Sequence, residues 1–154
     1  LISEVQKARI LSHPNIVRIH DFVKSPDEPP FITMEFVDGT DLNSLRSQQP
    51  NGYFTWERLE GLAIQLCESL EYAHEQQIIH RDLKLANLLV SEGLAIKITD
   101  FGLSNTMTPG KLFTTWCGSL YYSAPEIVEE KKYVGPAVDI WSMSEATSLR
   151  AEKS

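Results

Sequence analysis

From Trp56 to Gln76 the apolar residues Leu59, Leu62, Ala63, Leu66, Leu70 and Ala73 recur at steps of three and four. Only a helix turns that spacing into one apolar stripe, and a stripe that long must be buried against other elements. Thr55 is placed to cap the N-terminus of this helix. Ahead of it, two extended runs, Ile16 to Phe22 and Phe31 to Val37, flank Lys24-Ser25-Pro26-Asp27-Glu28-Pro29-Pro30. Prolines cannot sit inside a sheet, so the pair reads as a hairpin with a loose connection. Ile2, Val5, Ile10 and Leu11 predict a short helix over Ile2 to Leu11, stopped at His13-Pro14-Asn15 because Pro14 disfavours helix at His13. Asp38-Gly39-Thr40 predicts a turn into a short helix near Leu42 to Arg46, and Gln48 to Gly52 a polar loop. Beyond the long helix, strands are expected at Leu88 to Val90 and Ile96 to Ile98, joined by Ser91-Glu92-Gly93. The stretch from Phe101 to Pro125 then lacks any period, and a loop of that length in a compact domain usually carries function.

The balance of 42% hydrophobic and 23% charged residues over 154 residues is that of one globular domain and excludes a disordered or fibrous chain. A formal charge of −7 argues against a surface built for nucleic acid or anionic membrane, both of which attract Lys/Arg patches. Phosphate chemistry, if present, has to come from individually placed groups. Cys67 and Cys117 stand in no CxxC or metal-ligand spacing, which fits a reducing compartment and predicts a cytoplasmic protein, with the nucleus also open. No apolar run approaches the roughly 18 residues of a membrane span, and the N-terminal residues do not form a secretory leader pattern. The sequence begins at Leu1, in the middle of a helical pattern, so a continuation upstream is expected.

His80-Arg81-Asp82-Leu83-Lys84-Leu85-Ala86-Asn87 places a carboxylate, an ammonium and an amide within one tight loop. Asp100-Phe101-Gly102 follows the two strands, and Ala124-Pro125-Glu126 closes the irregular stretch. Taken singly, an aspartate or asparagine in such a place is more often a turn-forming side chain. Together, HRDLKxxN, DFG and APE occur in order, and the chain resembles the eukaryotic serine/threonine protein kinases. Lys84 after Asp-Leu and Gly118-Ser119 before Tyr121 favour the serine/threonine class. Phe101-Gly102-Leu103-Ser104-Asn105 and Cys117-Gly118-Ser119 resemble most the AMP-activated and sucrose-nonfermenting-related kinases of the calmodulin-dependent group.

The resemblance implies an α+β, two-lobed fold that is incomplete here, with part of the N-lobe and the first half of the mainly helical C-lobe. It implies ATP and Mg²⁺ as cofactors and proteins with Ser/Thr acceptors as substrates. In that frame Asp82 accepts or orients the substrate hydroxyl proton, Lys84 steadies the transferred phosphate, and Asn87 and Asp100 give oxygen ligands to the metal. His80 and Phe101 stack in an internal apolar column. Glu4, nine positions before His13, matches the helix glutamate that pairs with the nucleotide-anchoring lysine, although a glutamate on a solvated helix face reads the same way. Met34 becomes the gatekeeper, the backbone of Glu35 and Val37 the adenine contacts, Asp41 a ribose neighbour and Leu89 the residue beneath the adenine. Thr115 becomes the phosphosite of an upstream activating kinase, its phosphate pairing with Arg81, unless Thr114 and Thr115 are only loop hydroxyls.

The pattern also breaks. No GxGxxG precedes Glu4 and no strand lysine is available to it. Residues 1–143 read as a partial kinase domain, with Val138-Asp139-Ile140-Trp141-Ser142 at the start of its central helix and Asp139 bracing the catalytic loop. Residues 144–154 read as a divergent polar tail unable to fill a core. Glu126 then lacks its arginine partner and an apolar surface stays open. Ala86 stands where basic-directed relatives carry a glutamate, and Ala8 replaces a larger apolar residue. Two functions follow: a kinase transferring the γ-phosphate of ATP to Ser/Thr hydroxyls, or a catalytically dead, truncated kinase acting as a binding decoy.

Overall fold

The computed structural model describes residues 8–25, 29–50 and 52–147. Most of the helix expected over Ile2 to Leu11 lies outside them, as does Glu4. Ala8 is within them and is buried in the main core. β1 (Ile19–Val23) and β2 (Phe31–Met34) form an antiparallel hairpin in which Val23 faces Phe31 and Phe22 faces Ile32. Each strand is shorter than its extended run, because Ile16 is used elsewhere, in a parallel bridge to Ile98.

Gly39-Thr40-Asp41 is not a turn but a strand, β3 (Gly39–Asp41), paired with β5 (Leu88–Ser91). Gly39 permits the pairing by having no side chain: a Cβ there would lie 2.4 Å from the Val90 carbonyl oxygen. β6 (Ile96–Ile98) completes this three-stranded sheet on the far side of β5. The Asp41 side chain then caps α1 (Leu42–Ser47), accepting from the Ser44 amide at 2.9 Å.

The long amphipathic helix is α2 (Trp56–Glu75). Leu62, Leu66, Leu70 and Ala73 are buried along its stripe, while Leu59 and Ala63 flank it half-buried. Thr55 occupies the N-cap with extended backbone, but its hydroxyl makes no capping bond; the charge in the first turn comes from Glu57. After a left-handed Gln77, β4 (Ile78–Ile79) pairs with β7 (Asn105–Thr106), a two-residue strand inside the stretch expected to be irregular. Single 3₁₀ turns at Phe101–Leu103 and Leu120–Tyr122 and the short helix α3 (Pro125–Val128) divide the rest of it.

In α4 (Gly135–Thr147), Gly135, Val138, Asp139, Ser142 and Ala146 are buried at three- and four-residue steps. The boundary expected after Met143 therefore falls inside this helix. Ala146, one turn beyond Ser142 on the same face, is small and apolar enough to join the main core. That core gathers the α2 stripe with Leu42, Leu83, Leu85, Leu88, Val90, Ile96, Ile98 and Phe101. A second cluster packs Ala124, Tyr133 and Val138 against Phe113 and Ile127. Val128, Ile140 and Trp141 stay exposed, part of the open apolar surface expected near α4. The whole is an α+β arrangement.

Candidate active site

Two core clamps hold the loop between β4 and β5. His80 is fully buried against Phe101, ring centroids 4.7 Å apart in an edge-to-face contact, and its Nε2 lies 3.0 Å from the Thr99 carbonyl. The column expected of these two rings is thus present. From α4, the buried Asp139 carboxylate accepts the backbone amides of His80 (2.9 Å) and Arg81 (2.8 Å), and His74 Nε2 lies 2.8 Å from the same group. Arg81 is held at φ +68°, in the left-handed region that a non-glycine residue enters at a cost. The chain consequently presents Asp82 with little freedom to turn away.

Around Asp82 three polar side chains converge. Its Oδ2 accepts from Lys84 Nζ at 2.8 Å, with Asn87 Nδ2 at 3.5 Å. Its Oδ1 accepts from both the amide and the hydroxyl of Ser119, each at 2.8 Å. Burial works to raise the pKa of Asp82, but the hydrogen bonds from Lys84 and Ser119 and the nearby ammonium outweigh it and hold the carboxyl below the ordinary aspartate value of 3.8. The group is therefore an ionised acceptor at neutral pH. Asn87 Nδ2 also donates to the Asp82 carbonyl at 2.9 Å, which leaves its amide oxygen for another partner.

Asp100 is exposed and left-handed at φ 62°, and among the described residues its carboxylate takes only the Gly102 amide, at 3.3 Å. Among the described residues no three His, Cys, Asp or Glu side chains could together hold a metal ion. The oxygens of Asn87 and Asp100 fit an ion that keeps waters and takes phosphate oxygens, as Mg²⁺ does, and not one caged by protein.

The other residues expected around a nucleotide fall in two groups. Met34 shares a small cavity of about 60 Å³ with Val17, Ile32 and Asp100. Asp41 and Leu89 face each other as partners between β3 and β5, and Leu89 points away from the core side of its strand, where Leu88 and Val90 are buried. Glu35 differs from the expectation in part: its amide already donates to the Arg18 carbonyl at 2.8 Å, so of its backbone groups the carbonyl remains. Its side chain bonds Lys97 Nζ at 2.7 Å, and that bond above all lowers its pKa. Val37 lies just past β2, half-buried and in no regular element.

In the irregular stretch Thr114 and Thr115 are exposed, and the Thr115 carbonyl accepts from Tyr133 at 2.7 Å. Arg81 Nε donates to the Leu103 carbonyl at 2.7 Å, while its Nη1 is buried with no hydrogen-bond partner among the described residues. Cys117 is half-buried, and desolvation raises its thiol pKa, so it is a packing residue. Among the described residues Glu126 forms no ion pair. Ser119 and His74 were missed as site residues. Ser119 carried a signal, its place after Gly118 in a class-typical run; His74 carried none beyond its position in the last turn of α2.

The protein kinase domain model matches residues 1–146. The chain belongs to the protein kinase family. It is 40% identical to the carbon catabolite-derepressing protein kinase of Candida glabrata over 90% of this chain and 22% of that protein. It is 41% identical to the probable serine/threonine-protein kinase MARK-C of Dictyostelium discoideum, over 91% of this chain and 18% of that one. With the serine/threonine-protein kinase SIK1 of Mus musculus it shares 38% identity, again over 91% and 18%. These relatives fall in the AMP-activated and sucrose-nonfermenting-related branch that the motifs resemble. The kinase chain spans about a fifth of their length.

Proposed function

We propose that the protein carrying this chain is an ATP- and Mg²⁺-dependent kinase acting on serine or threonine hydroxyls of protein substrates. The observation that carries the reading is the ionised Asp82, buried yet bonded to Lys84 and Ser119. A carboxylate in that state can accept the proton of a hydroxyl as its oxygen bonds to the γ-phosphorus and the bond to the departing ADP breaks. Lys84 offers a compact positive charge beside the transferred group. Asn87 and Asp100 would hold Mg²⁺, whose charge offsets that of the triphosphate. Met34, Val37, Asp41, Leu89 and the Glu35 carbonyl would contact the nucleoside, and Glu4 an anchoring lysine outside this chain. The Arg81 Nη1, buried with no hydrogen-bond partner among the described residues, supports Thr115 as the site of an activating phosphate from an upstream kinase, since a buried donor gains most from a charged acceptor. The free cysteines suit a cytoplasmic or nuclear setting.

The test is transfer from γ-labelled ATP to a serine peptide with Mg²⁺, beside Asp82→Asn and Asp100→Ala. The expected result is transfer that falls about 10²- to 10⁴-fold in Asp82→Asn and to background in Asp100→Ala. A wild-type protein without transfer, or an Asp82→Asn variant of unchanged rate, overturns the reading; the first outcome would leave the binding decoy.

A further inference from the structure

We propose that the cleft between the turn at His13 and the start of β1 binds the phosphate of a phosphorylated protein segment. The cleft measures about 360 Å³ and is lined by Ser12, His13, Pro14, Arg18, His20 and Glu35. Asp82, Lys84, Asn87 and Asp100 do not line it, so it is separate from the candidate active site. Its carboxylate, Glu35, is already satisfied: Oε1 takes Lys97 Nζ at 2.7 Å and Oε2 takes the Arg18 amide at 3.2 Å. Arg18 is exposed, and among the described residues its guanidinium enters no ion pair. A cation left unanswered in a concave site, on a chain of net charge −7, calls for an anion.

Two imidazoles join the guanidinium. His13 Nδ1 accepts the Asn15 amide at 3.1 Å, so Nε2 carries the proton and is the ring's donor. The turn that bears it is stiff. Pro14 fixes its own φ, the Ile16 amide donates to the His13 carbonyl at 3.1 Å, and Asn15 Nδ2 is tied to Gln65 at 2.8 Å and to the Ile96 carbonyl at 2.7 Å. His20 arrives by another device. Ile19 faces Met34 and Asp21 faces Thr33, which makes His20 the extra residue of a β-bulge. A bulge re-aims a side chain, and this one lines the cleft together with Arg18. The donors are thus carried on ordered backbone before a ligand arrives, which lowers the cost of binding. A phosphate, with three acceptor oxygens and nearly two charges, uses a guanidinium and two imidazoles more fully than a single carboxylate does. Nucleic acid and anionic membrane do not fit, because an acidic chain repels an extended polyanion outside the cleft. Ser12, Pro14, Arg18 and His20 are exposed, so a peptide can lie across the cleft with one phosphorylated side chain in it.

The experiment follows the ring signals of His13 and His20 by NMR in the full-length protein. The probes are a phosphoserine peptide mixture with randomised flanks, the same mixture unphosphorylated, and inorganic phosphate. Saturable shifts of both rings are expected with the phosphopeptides, with binding at least about tenfold weaker for the unphosphorylated mixture and for inorganic phosphate. Arg18→Gln keeps the backbone bonds to Glu35 but loses the charge, and it is expected to raise Kd about 10- to 100-fold. His20→Gln, at an exposed position, is expected to raise it about tenfold. Asp100→Ala is expected to leave the shifts as they are, since a phosphate bound at the candidate active site would lose them. Absent shifts, or shifts of equal strength in Arg18→Gln, overturn the proposal. Inorganic phosphate binding as tightly as the phosphopeptides overturns it in favour of a free-anion site, and loss of the shifts in Asp100→Ala overturns it in favour of the active site. None of these outcomes depends on phosphoryl transfer, so the proposal and the functional reading fail separately.

Discussion

Ser119 makes two hydrogen bonds to one oxygen of Asp82, its amide and its hydroxyl each lying 2.8 Å from Oδ1. The loop between β4 and β5 and the segment after Gly118 are joined at the Asp82 carboxylate itself, so that disorder in one costs order in the other. The same hydroxyl lies 3.2 Å from Lys84 Nζ and so bridges the acid and the ammonium. Ser119→Ala removes the hydroxyl and keeps the amide bond. One hydrogen bond to a charged group then predicts a phosphoryl-transfer rate about tenfold lower, whereas Ser119→Thr keeps the hydroxyl and most of the rate. Steady-state kinetics of the two variants separate the cases; equal rates in both would mean that the Ser119 hydroxyl is dispensable to Asp82.

Gly118 is what lets Ser119 reach that position. Its φ is 110°, and a Cβ there would stand 2.5 Å from the Arg81 carbonyl oxygen, a backbone atom that cannot swing aside. Gly118→Ala is expected to lower stability by about 1–3 kcal/mol and to separate Ser119 from Asp82. Gly61, in the middle of α2, has nothing within 4 Å of where a Cβ would be. Gly61→Ala should therefore raise stability by roughly 0.5–1 kcal/mol. Thermal unfolding of the pair gives opposite signs, and a neutral Gly118→Ala would show that the close approach to Arg81 is dispensable.

Gln65 links three parts of the fold through one amide. Its Oε1 accepts from Asn15 Nδ2 at 2.8 Å and from the Ile96 amide at 3.0 Å, and its Nε2 donates to the Leu94 carbonyl at 3.1 Å. Gln65→Leu leaves the Ile96 amide without its acceptor and is expected to destabilise by about 1–3 kcal/mol. Asn15→Ala removes a partner of the same network. The double variant should lose less than the sum of the two, a deficit that denaturant unfolding measures directly. Additive losses would show that Asn15 and Gln65 act independently.

What could be read from the sequence follows the range of the interactions. The α2 stripe, β5 and β6 were legible because their signal is a local period. β3 was not, since three residues carry no period, and Gly39 as readily marks a turn as a place where a neighbouring backbone comes within 2.4 Å. At Thr55 the position was legible and the bond was not, because a hydroxyl's rotamer leaves no trace in the sequence. Burial of Ala146 was missed for a related reason: one alanine among polar residues joins a core only if the helix continues, and continuation is a property of packing. In the site, Asp82, Lys84 and Asn87 lie within one short loop, and the structure brings them together. Ser119 and His74 bond their partners across 37 and 65 positions, distances at which only the folded chain shows the contact.

The depressed pKa of Asp82 fixes the sign of its acid response. A carboxyl held below its ordinary value by Lys84 and Ser119 contributes stability that is fully present above the unfolded value of 3.8. That contribution fades as pH falls through the lower folded value, because protonation of Asp82 breaks the bonds it accepts. Between pH 5 and 8 it stays ionised, so no acid limb of the rate profile in that range belongs to it. Asp82→Asn cannot titrate. The stability difference between wild type and Asp82→Asn should therefore be flat from pH 8 down to about pH 5 and should shift in the direction of lost wild-type stability only as pH drops past the unfolded aspartate value. Thermal unfolding of both proteins across that range checks it. A difference that changes steadily between pH 5 and 7 would show that burial, which works to raise the pKa, outweighs the bonds from Lys84 and Ser119.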